Sequence, residues 1–598
     1  MRITRRLLVA LSVTLLWFSL AWVSASSQPF MWPNAWSEDA EEIQALIADE
    51  ALPSGQRFRT ASLSGVATFN PFTSSGTNEV LINGDTRGAS LLFRGPDSEE
   101  WLPYAAESCC VFVDGRVIDV VLRDNIRWSD GTPVTVADYI FRYQAEIDPD
   151  VGSNSFDGWF IGDEVIVLEQ TSDNSMRFTF PEADRLAFFT LAIHRPAPSH
   201  ILGEIYNEGG AEALRAAWGT ETNPSELVWT GPWILSSYLP DERMVFRRNP
   251  FFGEWNVDEA GNPLPYLEEI SYAIADQQAQ FNLYLAGELD AYSPSNLDEI
   301  GVINQAVADG ELEAVVLESY GIVTGRLFYV FNWNLARDPW LETLFRDVRF
   351  RQAMSHLTDR EAIIELVYSG AAQPAYNDVS PALDFFYNPD APRFSFDPEA
   401  ASALLAELGF EERNAQGFLM DDSGRHISFT LATNAGNAER EQTIQIIADT
   451  MRDYGIEVNT IALDFNLLVD QLISTGDDRP FEAILISIGG GSRDWPFGNN
   501  VLLCDANLRM YNRSGECFTE AEQRINDLTL QGRATLDNDE AQAIAFEIQE
   551  EFNTMQPIIH TAFQDAHVSW LERVAGAHPE ELLSTVLGTR QLILTFMR

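Results

Sequence analysis

The chain contains no lysine: all 38 of its basic side chains are arginine, set against 90 aspartates and glutamates, for a formal charge of -52 and a pI of about 4.3. So little positive charge excludes nucleic acids and anionic membranes as partners, because a polyanion would be repelled over most of the surface. The acidic residues are spread along the chain rather than gathered in a tail, which reads as a solvated surface. Cysteine is scarce as well, with four in 598 residues, and none has zinc-site spacing. The seven histidines (His194, His200, His356, His426, His560, His567 and His578) form no metal-binding motif. There is no HExxH, no GxSxG elbow and no phosphate-cradling GxxxxGK[ST]. No metal or cofactor is therefore expected. Beyond residue 23 no apolar run is long enough to span a bilayer, and there is no internal repeat or low-complexity tract.

The first residues do carry a pattern. Arg2, Arg5 and Arg6 precede the apolar run 7–23, which exits through Ser24-Ala25-Ser26. This reads as a secretory signal peptide over residues 1–25, cleaved after Ala25, with a retained anchor as the competing reading. No cysteine follows the run, so lipid attachment is not expected, and a periplasmic or extracellular location is. Residues 26–55, rich in Ser, Pro, Glu and Ala, are expected to form a flexible leader. At 45% hydrophobic content the remainder can fill two or more domains. In an export compartment Cys504 and Cys517, which bracket a short loop, are expected to staple a hairpin by a disulfide contributing ~3 kcal/mol. Cys109 and Cys110 are adjacent, and a vicinal bridge is strained, so two separate thiols are expected there.

The most informative stretch is Arg127-Trp128-Ser129-Asp130-Gly131-Thr132-Pro133-Val134-Thr135-Val136-Ala137-Asp138-Tyr139. Upstream, Ile118, Val120 and Leu122 alternate with Asp119, Val121 and Arg123, the period of a half-buried strand. Asp130-Gly131 turns the chain. Thr135 is a helix N-cap with Asp138 at the capping-box position, and Val136, Ile140, Tyr143 and Ile147 share the face of the helix that follows. Every residue has an architectural job and none a catalytic one.

As a string, this block resembles the "WSDGtPvTAeDv" signature of the family 5 extracellular solute-binding proteins, the peptide, dipeptide and nickel receptors of ABC importers. Three further blocks agree in order. Asp347-Val348-Arg349-Phe350-Arg351-Gln352-Ala353-Met354-Ser355-His356 with Asp359-Arg360-Glu361-Ala362 is similar to "DvRvRqAlsyAiDRea". Phe396-Asp397-Pro398-Glu399-Ala400 through Gly409-Phe410 is similar to "ydpekAkaLLaeaGf", and its Asp cap, Pro at the first helical position and terminal Gly have plain physical jobs. Thr230-Gly231-Pro232-Trp233 resembles "GTGPY".

The resemblance implies an α/β, two-lobed periplasmic binding protein of type II, from the large cluster with an extra subdomain, and a hinge with two lobe crossings. On this sequence the expected layout is lobe I over 56–318 with an inserted subdomain at about 76–225, lobe II over 319–555, and a C-terminal return to lobe I over 556–598.

The nearly continuous apolar run 481–488 reads as a buried strand, ending in Gly489-Gly490-Gly491 and then Ser492-Arg493-Asp494-Trp495. The outer end of such a strand is where open α/β sheets bind ligands. The segment resembles the family's "w.aDYpdP" loop, whose Asp receives a peptide's α-ammonium. By that resemblance Asp494 takes this role and Trp495 that of a pocket wall, with Gly491, Ser492 and Arg493 beside them. The bland alternative is that Arg493 or another arginine simply pairs with Asp494. Ser75 and Gly76 correspond to the edge that lends backbone hydrogen bonds to an extended ligand, or else form an ordinary turn. Tyr329, Phe331 and Trp333 alternate on an expected strand, so Trp333 is a candidate floor residue and a candidate core residue alike.

The expectation is thus a monomeric receptor that makes and breaks no bond. It captures di- or oligopeptides by hinge closure and hands them to an ABC permease. An oligosaccharide is the alternative cargo, because a Gly-rich, Trp-bearing loop suits a pyranose. An exported hydrolase using paired carboxylates is a third reading.

Overall fold

The computed structural model describes residues 27–598 except 34–36, 38, 50, 52, 54, 75–87, 95–100, 110–113, 490–492, 498 and 577–591. The expected signal peptide, Ser75, Gly76, Gly491, Ser492 and Cys110 therefore lie outside the described residues.

The signature corner forms as its residues dictate. In the strand Val117–Leu122, Ile118, Val120 and Leu122 are buried, and the strand lies between Ala106–Cys109 and Ser175–Thr179 in an antiparallel sheet. Gly131 adopts φ +88°, and the Asp130 carboxylate accepts from the Thr132 amide at 2.9 Å, closing the turn. The helix Val136–Glu146 starts on the Thr135–Asp138 capping box, and the Asp138 carboxylate also accepts from the Ser199 hydroxyl at 2.6 Å. Asp138 is thus a buried knot between helix start and neighbouring chain, which explains why this position is an acid.

The arginines of the second signature block have a structural role of the same kind. Arg351 is fully buried and donates to the carbonyls of Phe345, Met555 and Gln556. Arg360, also buried, donates to those of Ala375 and His560. Burial pulls their pKa values down to about 9 and about 10, still charged at neutral pH, and the gathered carbonyls satisfy what would otherwise be costly guanidinium donors. In the helix Pro398–Glu407, Asp397 caps, Pro398 opens, and Gly409 at φ +89° ends the run.

Two large hydrophobic cores result. One gathers residues from Phe30 to Tyr272 together with Ala291, Val568, Trp570, Val574, Ala575 and, from the C-terminus, Leu592, Ile593, Leu594, Phe596 and Met597; the other runs from Leu327 to Ala562, joined by Leu186. A third, small cluster around Tyr284 and Ile303 sits beside the first. The long strand Ile558–Leu571 links them. Its second half pairs with Ala291–Tyr292 and Ala314–Ile322, its first half with Arg326–Phe331 and Ala372–Pro374. The sheet continues from Arg326–Phe331 to Ala483–Ile488, then Ser428–Asn434 and Glu457–Leu463. Two adjacent antiparallel passages, 314–331 and 558–571, therefore carry the chain between the cores, and the ladder between them is irregular from Leu317 to Gly321. Backbone irregularity at strand passages is where a rotation can be absorbed while each core stays packed.

Three expectations need correction. The described part of the expected 26–55 leader is not loose: Phe30–Trp32 forms a strand parallel to Asn256–Asp258, and Trp32 donates to Asn256 at 2.8 Å. The helix Ala40–Ala48 follows with Ile43 buried, and Arg598 reaches back to Glu42 at 2.9 Å. The aromatic pair Phe30 and Trp32 gives this segment enough apolar surface to order it, outweighing its polar composition. Cys109 is disulfide-bonded rather than a separate thiol. Cys504 and Cys517 are bonded, with Cα atoms 5.1 Å apart, but their loop is no hairpin. It wraps a buried Arg509–Glu522 ion pair, Arg509 also donating to the carbonyl of Cys504 at 2.9 Å.

Candidate functional site

The strand Ala483–Ile488 is buried over its first four residues and emerges at its end, delivering Arg493 and Asp494 to the boundary between the two cores. Opposite, the strand Leu92–Arg94 belongs to the first core and ends in Arg94. The Arg94 guanidinium donates to both carboxylate oxygens of Asp494, at 2.9 and 3.0 Å, and lies 4.0 Å from the centre of the Trp101 ring. The aromatic face and the carboxylate hold the cation from two sides. Arg185, from the same side as Arg94, donates through Nε to the Asp494 carbonyl at 2.6 Å. Its other nitrogens reach the Thr535 carbonyl at 2.9 Å and the Asn538 amide oxygen at 2.8 Å. Burial lowers the Arg185 pKa from its ordinary value, with the nearby Asp494 and Asp184 charges opposing.

These side chains border a cavity of about 550 Å³, completed by Leu383, Asp384 and Phe386 of the second core's side. Its size falls in the range of small-molecule sites, whereas two others, of about 170 and 210 Å³, fall below it. Next to it the two sides are clamped together. Arg533 forms a two-pronged pair with Asp184, at 2.9 and 2.8 Å, with both side chains almost wholly buried. Asp157 accepts from the Asn507 amide at 2.8 Å, and burial pushes its pKa up. A separate contact joins Gln277 to Glu439 at 2.9 Å, and the Gln277 amide oxygen accepts from the Ala438 amide at 3.1 Å. Burial raises Glu439 to about 7, against the opposing pull of Gln277 and Arg440.

Of the residues singled out from sequence, Arg493 and Asp494 meet at this cavity. Trp495 does not border it: the ring is 1% exposed, packed against Phe386 and Phe497 and so close over Gly532 that a Cβ there would lie 2.1 Å from it. Trp333 is equally buried, between Tyr511 and the Arg351 guanidinium, 4.3 Å from its ring centre. Both tryptophans lie in loops past strand ends, Trp333 beyond the expected strand that stops at Phe331, and both side chains pack into the second core rather than toward the boundary. Sequence reasoning missed Arg94, Arg185, Phe386 and Asn538. None lies in a recognisable motif, and Arg94 and Asp494 are 400 residues apart. Among the described residues no group of three or more His, Cys, Asp or Glu could hold a metal ion, and no helix is long and apolar enough to cross a membrane.

Comparison with known proteins identifies the architecture. A "Probable ABC transporter-binding protein" of Deinococcus radiodurans is 34% identical, covering 98% of this chain and 99% of that protein. The solved oligopeptide-binding protein AppA of Bacillus subtilis, in complex with a nonapeptide, superposes with a TM-score of 0.76 at 20% identity, over 91% of this chain and 99% of that one. The binding protein MelB of Agrobacterium fabrum, in complex with stachyose, gives 0.75 at 21% identity, over 95% and 92%. At such identities the two structures establish the shared two-lobed fold and not its ligand. Residues 100–507 match the family described as bacterial extracellular solute-binding proteins, family 5 Middle, and the chain belongs to that family of ABC-transporter receptors.

Proposed function

We propose that this protein is the exported receptor of an ABC importer, working as a monomer, which captures a di- or oligopeptide between its lobes and presents the closed form to the permease. The observation that carries this reading is the 550 Å³ cavity, walled by Arg94 and Arg185 on one side and by Arg493, Asp494 and Phe386 on the other. A solute held there touches both lobes, so its binding energy favours the form in which they meet. Micromolar affinity requires roughly 8 kcal/mol. One charge-assisted bond supplies about 1.5–3 kcal/mol of that, leaving the larger share to apolar burial and main-chain bonds. In this reading Asp494 and Arg493 contact the cargo, the signal peptide is residues 1–25, and the lobes follow the layout expected from sequence.

An oligosaccharide is the second reading. The observation favouring it is that Arg94 takes both Asp494 oxygens, which a site built to anchor an ammonium would leave open. Thermal shift of the mature protein against peptide and oligosaccharide panels, with product analysis, tests both. A rise with peptides that is lost in Asp494→Ala supports the first reading, and a rise with saccharides that survives it supports the second. Turnover of any panel member overturns both.

A further inference from the structure

Arg94 occupies, with its own guanidinium, the place at Asp494 where a cationic ligand group would otherwise sit. The rest of the cavity strengthens the point. Its charged lining is Arg94, Arg185 and Arg493 against Asp384 and Asp494, one positive charge in excess, in a chain whose net charge is -52. Arg185 spends its bonds on two carbonyls and an amide, all neutral acceptors, and no carboxylate lies within ion-pair distance of it or of Arg493 among the described residues. A guanidinium carries five N–H donors in a planar fork, so each terminal nitrogen of Arg185 keeps one N–H beyond those bonds. Arg493 is exposed at the cavity. Because the Arg185 side chain is already ordered by three hydrogen bonds, a ligand oxygen would meet a preformed donor and cost little further ordering.

We propose that the cavity grips its cargo by a carboxylate, held between Arg185 and Arg493, and that Arg94 makes a free ammonium on the cargo dispensable by neutralising Asp494 from within the protein. This rests on the receptor reading above and departs from it in one contact: Asp494 is filled by Arg94, so cargo binding survives Asp494→Ala. The shared chemistry is a carboxylate on an extended solute, supplied either by a peptide C-terminus or by a uronate unit of a saccharide. Arg94 then acts as a specificity determinant: by filling the anionic side chain that would select for an amine, it turns the site toward acidic ligands.

The test is isothermal titration of the mature protein with two matched series. One is a mixed pentapeptide pool in free, N-acetylated and C-amidated forms; the other is an oligogalacturonide and its methyl ester. The expected result is that N-acetylation changes affinity less than threefold while amidation or esterification weakens it at least tenfold, in whichever series binds. Arg493→Gln, a substitution of an exposed side chain, should weaken the carboxylate-bearing form alone, bringing it toward its neutral counterpart. Arg94→Ala should reverse part of the selectivity, making the free amine stronger than the N-acetylated form. Equal binding of charged and neutralised forms, or loss on N-acetylation without loss on amidation, overturns the inference and leaves the receptor reading standing. Binding of no member of either series overturns the receptor reading for these cargoes and the inference with it.

Discussion

Replacing Arg533 by Gln removes one half of an ion pair that joins the two sides of the molecule. Asp184 is then left without its cation, its side chain fully buried, while Arg533 formerly met it with two hydrogen bonds at 2.9 and 2.8 Å. Breaking such a pair inside a single core ordinarily costs ~3–5 kcal/mol, because the remaining charge is desolvated and unmatched. Here the partners come from different sides of the boundary, 349 residues apart, so the protein has a cheaper response than unfolding. It can open and let water reach Asp184. The penalty therefore acts on the open–closed equilibrium: 3 kcal/mol corresponds to roughly a hundredfold shift toward the open form, at 1.4 kcal/mol per tenfold. Small-angle X-ray scattering at the same ligand concentration, saturating for wild type, should show a larger radius of gyration for the variant than for wild type. The urea midpoint should move little, and the double variant Asp184→Leu/Arg533→Leu should restore compaction. An unchanged radius of gyration together with a 3–5 kcal/mol loss in unfolding free energy would refute the reasoning, because the pair would then behave as part of one rigid core.

Three further outcomes follow from the same geometry. Gly532→Ala, which would normally stabilise a helix by about 1 kcal/mol, should instead destabilise by ~1–3 kcal/mol, since the new Cβ would meet the Trp495 ring 2.1 Å away; urea denaturation with tryptophan fluorescence reads both effects. Cys504→Ser/Cys517→Ser should lower unfolding free energy by ~3 kcal/mol, measured by the same method, the loop spanning a sequence separation of 13. Glu439 is held up to about 7 by burial, so the folded state keeps its proton where the unfolded chain has released it. Its contribution is fully present below the ordinary carboxylate range near 4.5 and is lost as pH rises through 7, with a slope of at most about 1.4 kcal/mol per pH unit. In Glu439→Gln, stability measured from pH 5 to pH 8 should lose that part of its slope, and an unchanged slope would contradict the assignment.

The strand–turn–helix corner at 117–146 was legible because its information is local: alternation, a glycine turn and a capping box all lie within a few turns of chain. The position of Asp494 at the cavity was legible for a similar reason, since it stands just past the end of a recognisably buried strand. Its partner was not. Arg94 and Arg185 reach the cavity through tertiary packing alone, and nothing adjacent to either distinguishes it from the other surface arginines of a lysine-free chain. Trp495 misled in the opposite direction, since an aromatic beside a loop can be wall or core and only its packing over Gly532 decides; Trp333 was open to both readings, and its packing against Tyr511 decides for the core. The 26–55 segment misled because average composition hid two aromatic residues that bury themselves against Phe93 and Tyr104.

The central claim, that cargo is gripped from both lobes at once, is tested most directly by hydrogen–deuterium exchange with and without saturating ligand. The account predicts protection appearing together on both walls of the cavity, around Arg94 and Arg185 on one side and Leu383, Phe386 and Asp494 on the other, with the same ligand dependence. Protection confined to one wall, or lying elsewhere altogether, would contradict it.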